Sequence, residues 1–203
     1  MEYVATDVTS PVEVRAAVER AAGTDHPLRT VVNCAGIGPS ARILGKKGVH
    51  DLDLYAKVVQ INLVGTFNVL ALASEAIAQT EADEHGQRGV IVNTASIAAF
   101  DGQVGQLAYS ASKGAVVGMT LPAARDLSVV GIRVVTIAPG LFDTPLLGML
   151  PEAQRHALGE SVLFPKRLGD PARYAQLVVD IARNSYLNAE VIRLDGGIRM
   201  PPK

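Results

Sequence analysis

Four short runs rich in Val and Ile constrain this chain more than anything else in it: Thr30–Cys34, Val90–Thr94, Ile132–Ala138 and Glu190–Leu194. They are nearly continuous apolar stretches rather than in/out alternations, the pattern of strands covered on both faces, as in a parallel sheet. Helical patterns separate them, at roughly Leu52–Gln79, Tyr109–Leu127 and Pro171–Asn184. Strands alternating with helices imply right-handed crossovers and a doubly wound α/β sheet. A fifth run, Tyr3–Val8, also reads as a buried strand. It feeds a helix over Pro11–Ala22, with Ser10 as N-cap, Pro11 at the first helical position and Glu13 three residues past the cap. No linker or repeat divides the 203 residues, so one domain over 1–203 is expected. Leu141–Phe164, rich in Leu and Pro, reads as a mobile flap with a short helix.

Bulk properties exclude several classes of function. A net charge of −1 gives no general attraction to nucleic acid or an anionic membrane. No uninterrupted apolar run approaches the length of about 18 residues expected of a spanning helix, and the N-terminus lacks the layout of a secretory signal. Cys34 is the single cysteine, which rules out an internal disulfide and suits a cytoplasmic setting. His26, His50, His85 and His156 share no ligand spacing, so no metal is expected.

In open α/β sheets ligands sit beyond the carboxyl ends of the strands. Asp7-Val8, Asn33-Cys34-Ala35-Gly36, Asn93-Thr94-Ala95-Ser96 and Pro139-Gly140 all fall there. Each alone is equally a turn or a strand exit; their shared position is the signal. Tyr109-Ser-Ala-Ser-Lys113 adds chemistry. On a helix, residues four apart share a face, so an ammonium lies near a phenol whose ordinary pKa is about 10. A fixed cation favours the phenolate, fitting Tyr109 to trade a proton with an alcohol or carbonyl. Taken alone, a Tyr-Lys pair is also an ordinary exposed helix face. Ser96, at a strand end, offers a hydroxyl for the same substrate oxygen.

Ser96, Tyr109-x-x-x-Lys113, Asn33-x-Ala35-Gly36, Asn62 in a long helix, and Pro139-Gly140 with Thr144 together resemble the short-chain dehydrogenase/reductase family in order and spacing. Three segments, GQRGVIVNTASIAAFDGQVGQLAYSASKGAVVGMTLPAARDL, GIRVVTIAPGLFDTPLL and EVIRLDGGIRM, are similar to its 3-hydroxyacyl-CoA dehydrogenase branch. That similarity runs from Asp7 to Met200, and the insertion around Ile43–Asp51 also resembles that branch. The resemblance implies a Rossmann-like fold and a reversible NAD-dependent interconversion of a secondary alcohol and a ketone, with a 3-hydroxyacyl-CoA or its 3-oxo form as substrate. It makes Tyr109 the acid/base, Ser96 the residue that orients the substrate oxygen, and Lys113 the residue that binds the nicotinamide ribose and lowers the tyrosine pKa. Asn62 would hold a water connecting Lys113 to solvent, or else bond within its own helix. Asp7 and Val8 would flank the adenine. Asn33, Cys34, Ala35 and Gly36 would pass beneath the adenosine ribose, and Pro139, Gly140, Phe142 and Thr144 would position the nicotinamide. Gln103 is read as a substrate contact or a surface-loop residue. Arg42, Lys46 and Lys47 are read as partners for CoA phosphates or as a solvated loop. NADPH-dependent reduction of a 3-oxoacyl-carrier-protein is the alternative chemistry. The family also implies a dimer or tetramer built on the helices Leu52–Gln79 and Tyr109–Leu127 and on the C-terminal strand, with Ala111, Ala115 and Gly118 suited to close helix contact or equally to core packing.

One family feature is missing from the sequence. The Gly-rich turn after a first strand, which places a helix N-terminus on the cofactor pyrophosphate, has no counterpart in these 203 residues. Neither does the acidic residue after a second strand that selects NAD over NADP. Gly36-Ile37-Gly38-Pro39 is too short and opens a loop. By the resemblance Tyr3–Val8 is then strand three of a doubly wound sheet that is N-terminally truncated, with two strand-helix units absent. That arrangement leaves the segment without its neighbours, Val31–Cys34 as an apolar edge and one sheet face exposed; direct pairing of the third and fourth strands would close the edge but leave that face needing cover. Two expectations follow: an oxidoreductase whose full sequence is longer, or a short non-catalytic interaction module with little NAD affinity. An in-frame upstream sequence encoding a strand and Thr-Gly-x-x-x-Gly-x-Gly separates them.

Overall fold

The computed structural model describes residues 2–46, 48–148 and 150–202. Lys47, read above as a CoA-phosphate partner, lies outside them. The elements in chain order are α1 (Pro11–Ala22), β1 (Thr30–Asn33), β2 (Leu44–Gly45), β3 (Gly48–Val49), α2 (Leu52–Val59), α3 (Thr66–Ala78), β4 (Gly89–Thr94), α4 (Leu107–Ser128), β5 (Ile132–Pro139), α5 (Pro145–Gly148), α6 (Glu152–Glu160), α7 (Pro171–Arg183) and β6 (Val191–Leu194). β1, β4, β5 and β6 form one parallel sheet in that order, with Asn33 opposite Asn93 and Asn93 opposite Thr136. β2 and β3 make a small exposed hairpin within the expected insertion.

β5 shows why the apolar runs are continuous. Ile132 and Val134 pack with Leu70, Ile77, Ile91 and Ala124 under α3 and α4. Val135 and Ile137 pack with Val90, Val92 and Ile181 under α7. A strand sandwiched in this way needs apolar residues at both parities, and each fully buried Val or Ile contributes about 1.5–3 kcal/mol. The polar exceptions are partnered. Thr136 bonds Thr120 of α4 at 2.6 Å. Arg133, buried, donates to Gln87 and to the carbonyls of Ile181, Ala182 and Leu187, closing the C-terminal end of α7. Arg88 likewise donates to the carbonyls of Thr80 and Val130, beyond α3 and α4.

Tyr3–Val8 is not a strand. It pairs with no strand among the described residues, and Tyr3 is 89% exposed. A strand holds its shape by giving each backbone N–H and C=O a partner, and no strand lies beside this one, so apolar character alone does not create one. Direct pairing with β1 does not occur either. The segment is anchored at its far end, where Asn68 donates to the Val8 carbonyl and Glu13 accepts from the Asp7 amide. Glu13 therefore caps one turn further out than Ser10, whose hydroxyl accepts from the Glu13 amide. The exposed sheet face is narrower than expected. α7 covers β4 and β5, and exposure concentrates at the edge strand, where Val32 is 38% accessible.

The helix expected over Leu52–Gln79 runs to Ala78 and contains a π-helical stretch, Gln60–Gly65, between α2 and α3. Leu52–Ala78 is also long and apolar enough to cross a membrane by length and composition, although polar residues interrupt its apolar runs. Here those polar residues hold internal bonds and its apolar side packs on the sheet. The Leu141–Phe164 flap holds two short helices, α5 and α6, rather than one.

Candidate active site

β4 ends at Thr94, and the chain stays extended through Ser96 (φ −167°, ψ 157°) before a single 3₁₀ turn, Ile97–Ala99. The Ser96 hydroxyl accepts from the Ala98 amide at 3.1 Å, which fixes it while leaving its own proton available. α4 packs on this turn and starts at Leu107, so Tyr109 lies in its first turn and Lys113 one turn deeper. Ser96 and the Tyr109 phenol interact, while the Lys113 ammonium lies 5.9 Å from the centre of the tyrosine ring. Ser96, Tyr109 and Lys113 thus meet at the carboxyl end of the sheet, where the pattern put them.

The electrostatics differ from expectation. Burial pushes the Tyr109 phenol above its ordinary value, and the opposing influence comes from Ser96, not from Lys113. Lys113 is only 4% exposed, and burial pulls its ammonium down to about 8, partly countered by Cys34. The lysine was expected to dominate the phenol. Instead both groups sit in a poorly solvated pocket that penalises charge on each. One lysine proton is committed to the Thr94 carbonyl, at 2.7 Å.

One of the two readings of Asn62, a side-chain bond within its own helix, does not hold. The amide bonds neither within its own helix nor to Lys113. The oxygen accepts from the Ile37 amide at 2.8 Å, and the nitrogen donates to the Ile37 carbonyl at 2.8 Å and to Ser112 at 3.0 Å. The π-helical stretch leads this fully buried side chain to the β1 exit loop, a placement typical of such distortions at functional sites. That clasp holds Gly36 and Gly38 against the Tyr109–Lys113 turn. A Cβ on Gly36 would lie 3.2 Å from Asn62 Oδ1 and 3.4 Å from Lys113 Nζ, and one on Gly38 3.4 Å from the Tyr109 ring.

The remaining candidates divide. Asn33 donates to Asn93 Oδ1 at 2.9 Å, leaving Asn93 Nδ2 buried without a partner. Cys34, Ala35 and Gly36 form an exposed strip in front of Lys113. Gly140 donates to the Leu194 carbonyl, and a Cβ there would come within 2.8 Å of Asp195 Cα, so the turn after Pro139 requires glycine. The Phe142 ring is committed elsewhere, stacked on Gly169 and edge-on to Tyr174 at 6.5 Å. The Thr144 carbonyl opens α5. Asp7 organises its own turn, accepting from the Thr9 amide and hydroxyl, which hold its carboxyl below the usual range. Val8 rests on Gly65 beside the π-helical stretch. Gln103 donates to the Pro201 carbonyl and lines an apolar groove of about 450 Å³ with Leu141, Leu150, Leu158 and Met200, between the flap and the C-terminal tail. Arg42 is exposed ahead of the hairpin and Lys46 is exposed within it. Sequence reasoning passed over Ser112, the Thr94 carbonyl and Tyr174, whose hydroxyl lies 2.6 Å from Thr94 Oγ1. Ser112 had a usable signal, since three residues after Tyr109 is the same helix face.

The Thr94-anchored lysine keeps two protons beside the open Cys34–Gly36 strip, a shape and donor set that fit the ribose of a nicotinamide nucleotide. No Gly-rich strand-to-helix turn for its pyrophosphate occurs among the described residues, so the fit covers the nicotinamide-ribose end.

The fold and this site agree with the sequence comparisons: residues 1–155 match the short chain dehydrogenase family, and the chain belongs to it as an oxidoreductase. Over 98% of its length it is 56% identical to 3-hydroxyacyl-CoA dehydrogenase type-2 of Bos taurus, covering 77% of that protein. Ipsdienol dehydrogenase of Ips pini is 35% identical over 95% of the chain, which covers 78% of it. The crystal structure of 3-hydroxyacyl-CoA dehydrogenase type-2 from Mycobacterium avium superposes with a TM-score of 0.93 at 43% identity, over 100% of this chain and 78% of that one.

Proposed function

We propose that the chain interconverts a 3-hydroxyacyl-CoA and its 3-oxoacyl-CoA with NAD as hydride carrier. The observation that carries this reading is the meeting of Ser96, Tyr109 and Lys113 at one strand end, in a chain 56% identical to a protein named for that substrate class. NAD, when bound, supplies the hydride acceptor or donor. In the reducing direction the Tyr109 phenol, kept protonated by burial, gives its proton to the substrate oxygen. Ser96 donates its hydroxyl proton to the same oxygen and fixes its position. In the oxidising direction the phenolate takes the hydroxyl proton, and Ser96 stabilises that anion. Lys113 holds the ribose hydroxyls with the protons not given to Thr94. The groove lined by Gln103 and Leu158 takes the acyl chain. The same reading places the protein in the cytoplasm as a dimer or tetramer, without nucleic-acid or membrane partners. Exposed Phe67 and Leu121 on α3 and α4 support contact between copies.

The test is turnover of acetoacetyl-CoA with NADH, against its carrier-protein ester and against NADPH. Tyr109→Phe is expected to lose at least about a hundredfold in rate with an unchanged melting curve. Near wild-type turnover by that variant removes the catalytic assignment, and preference for the carrier-protein ester with NADPH replaces the substrate class. Identity to the carrier-protein reductase of Thermotoga maritima is 34%, against 56% above, which favours the CoA ester.

A further inference from the structure

Ser112 lies between the two residues assigned to chemistry and touches neither of their reactive groups. It is 1% exposed and uses its hydroxyl fully: it donates to the Tyr109 carbonyl at 2.8 Å and accepts from Asn62 Nδ2 at 3.0 Å. Asn62 in turn grips Ile37 by both its amide and its carbonyl. A continuous set of bonds therefore runs from the first turn of α4 to the π-helical stretch and on to the β1 exit loop. That loop presents Gly36 to the lysine amine and Gly38 to the tyrosine ring.

We propose that Ser112 is a positioning residue: by bonding Asn62 it keeps the Gly36–Gly38 loop pressed against the Tyr109–Lys113 turn, and so sets the spacing between the ring, the amine and the open strip where the ribose lies. The proposal rests on the reading of Tyr109 and Lys113 given above. Without the hydroxyl, one buried Asn62 proton loses its acceptor, and a buried donor regains a partner by moving or by admitting water. Either response moves the Ile37 loop or wets the lysine pocket. An alternative donor-acceptor at this spot needs a short side chain that bonds in both directions, which serine supplies and alanine lacks.

The test uses the full chain and four variants: Ser112→Ala, Asn62→Ala, the two combined, and Ser112→Cys. The first readout needs no turnover. The Lys113 amine is followed by NMR titration with isotope-labelled lysine, the groups facing it being Cys34, Tyr109 and Thr94. Burial lowers it to about 8 in the parent chain, which sets the expected baseline. Both single alanine variants are expected to raise that value, and the combined variant to raise it no further than Asn62→Ala alone, because the two residues act in series. An unmoved lysine in Ser112→Ala, or additive shifts, overturns the proposal. Ser112→Cys, close in volume with a weak S–H, gives a smaller shift in the same direction; it stands in if the alanine variant lacks a cooperative melt, and no shift there also overturns it. In turnover of acetoacetyl-CoA, Ser112→Ala is expected to lower kcat about tenfold or more, with KM within about threefold, since misplaced groups cost rate more than binding. Retained turnover in Tyr109→Phe would remove the proposed function, yet the lysine titration would still test Ser112 independently.

Discussion

Replacing Lys113 with methionine should separate what this residue costs the fold from what it does in the site. Burial lowers its amine from 10.5 to about 8, and at roughly 1.4 kcal/mol per decade of equilibrium constant the charged form carries a penalty of about 3 kcal/mol. The side chain is 4% exposed, so solvent does little to screen that penalty. Below pH 8 the lysine is charged in both folded and unfolded chains, and the folded state bears the whole cost. Between pH 8 and 10.5 the unfolded chain holds the proton and the folded chain does not, so stability rises with pH. Methionine has no such dependence. Urea melts of the two proteins from pH 7 to 10.5 should show the parent gaining about 3 kcal/mol on Lys113→Met across that interval. At pH 7 the variant should be the more stable by about 1–2 kcal/mol, because the orphaned Thr94 carbonyl offsets part of the gain. Its turnover should be lost. A stability difference that stays flat with pH would refute the argument from burial, and a variant less stable at pH 7 would mean the Thr94 bond outweighs desolvation.

Three further outcomes follow from the same structure. Oxidative turnover should climb with pH while reductive turnover does not, because burial holds Tyr109 in its phenol form; Ser96→Ala removes the group that opposes burial and should move the oxidative limb to higher pH in stopped-flow profiles. Gly140→Ala should lower stability by about 1–3 kcal/mol in a thermal melt, since its Cβ meets the Asp195 backbone rather than a side chain able to turn away. Arg133→Lys keeps the charge but not the fork that reaches three carbonyls, and should lose about 2–3 kcal/mol, with hydrogen exchange accelerated at the C-terminal end of α7.

The sheet was legible because its signal is local. β4 and β5 are largely apolar on both faces, the mark of a short strand covered on each side. The Ser96, Tyr109 and Lys113 set was legible because strand end and helix turn fix where those side chains emerge. Tyr3–Val8 misled for the complementary reason: its apolar pattern is that of a strand, but a strand also needs a neighbour's backbone, and no pattern within so short a segment reports one. The Asn62 clasp was hidden in the same way. Its partners, Ile37 and Ser112, lie 25 and 50 residues away in opposite directions, and the π-helical stretch that aims it leaves no mark in an otherwise regular helical run.

The sign of the error at Tyr109 is informative. Helical spacing alone places a cation near a phenol, and the physics of two charges in water then predicts a lowered phenol pKa. The fold adds desolvation, which acts on both groups at once and makes the charged form of either expensive. In such a pocket the distance between ring and amine matters less than how much water and how many fixed dipoles reach them. Those are set by the residues that close the pocket: Thr94 beneath the amine, Ser96 at the phenol, and the Gly36–Gly38 loop across both. On the proposal above, the clasp from Ser112 through Asn62 to Ile37 sets both the spacing of these groups and the water that reaches them. Loosening it should move Lys113 toward ordinary lysine behaviour before it disturbs the sheet, since the strands beneath are held by core contacts the clasp does not share.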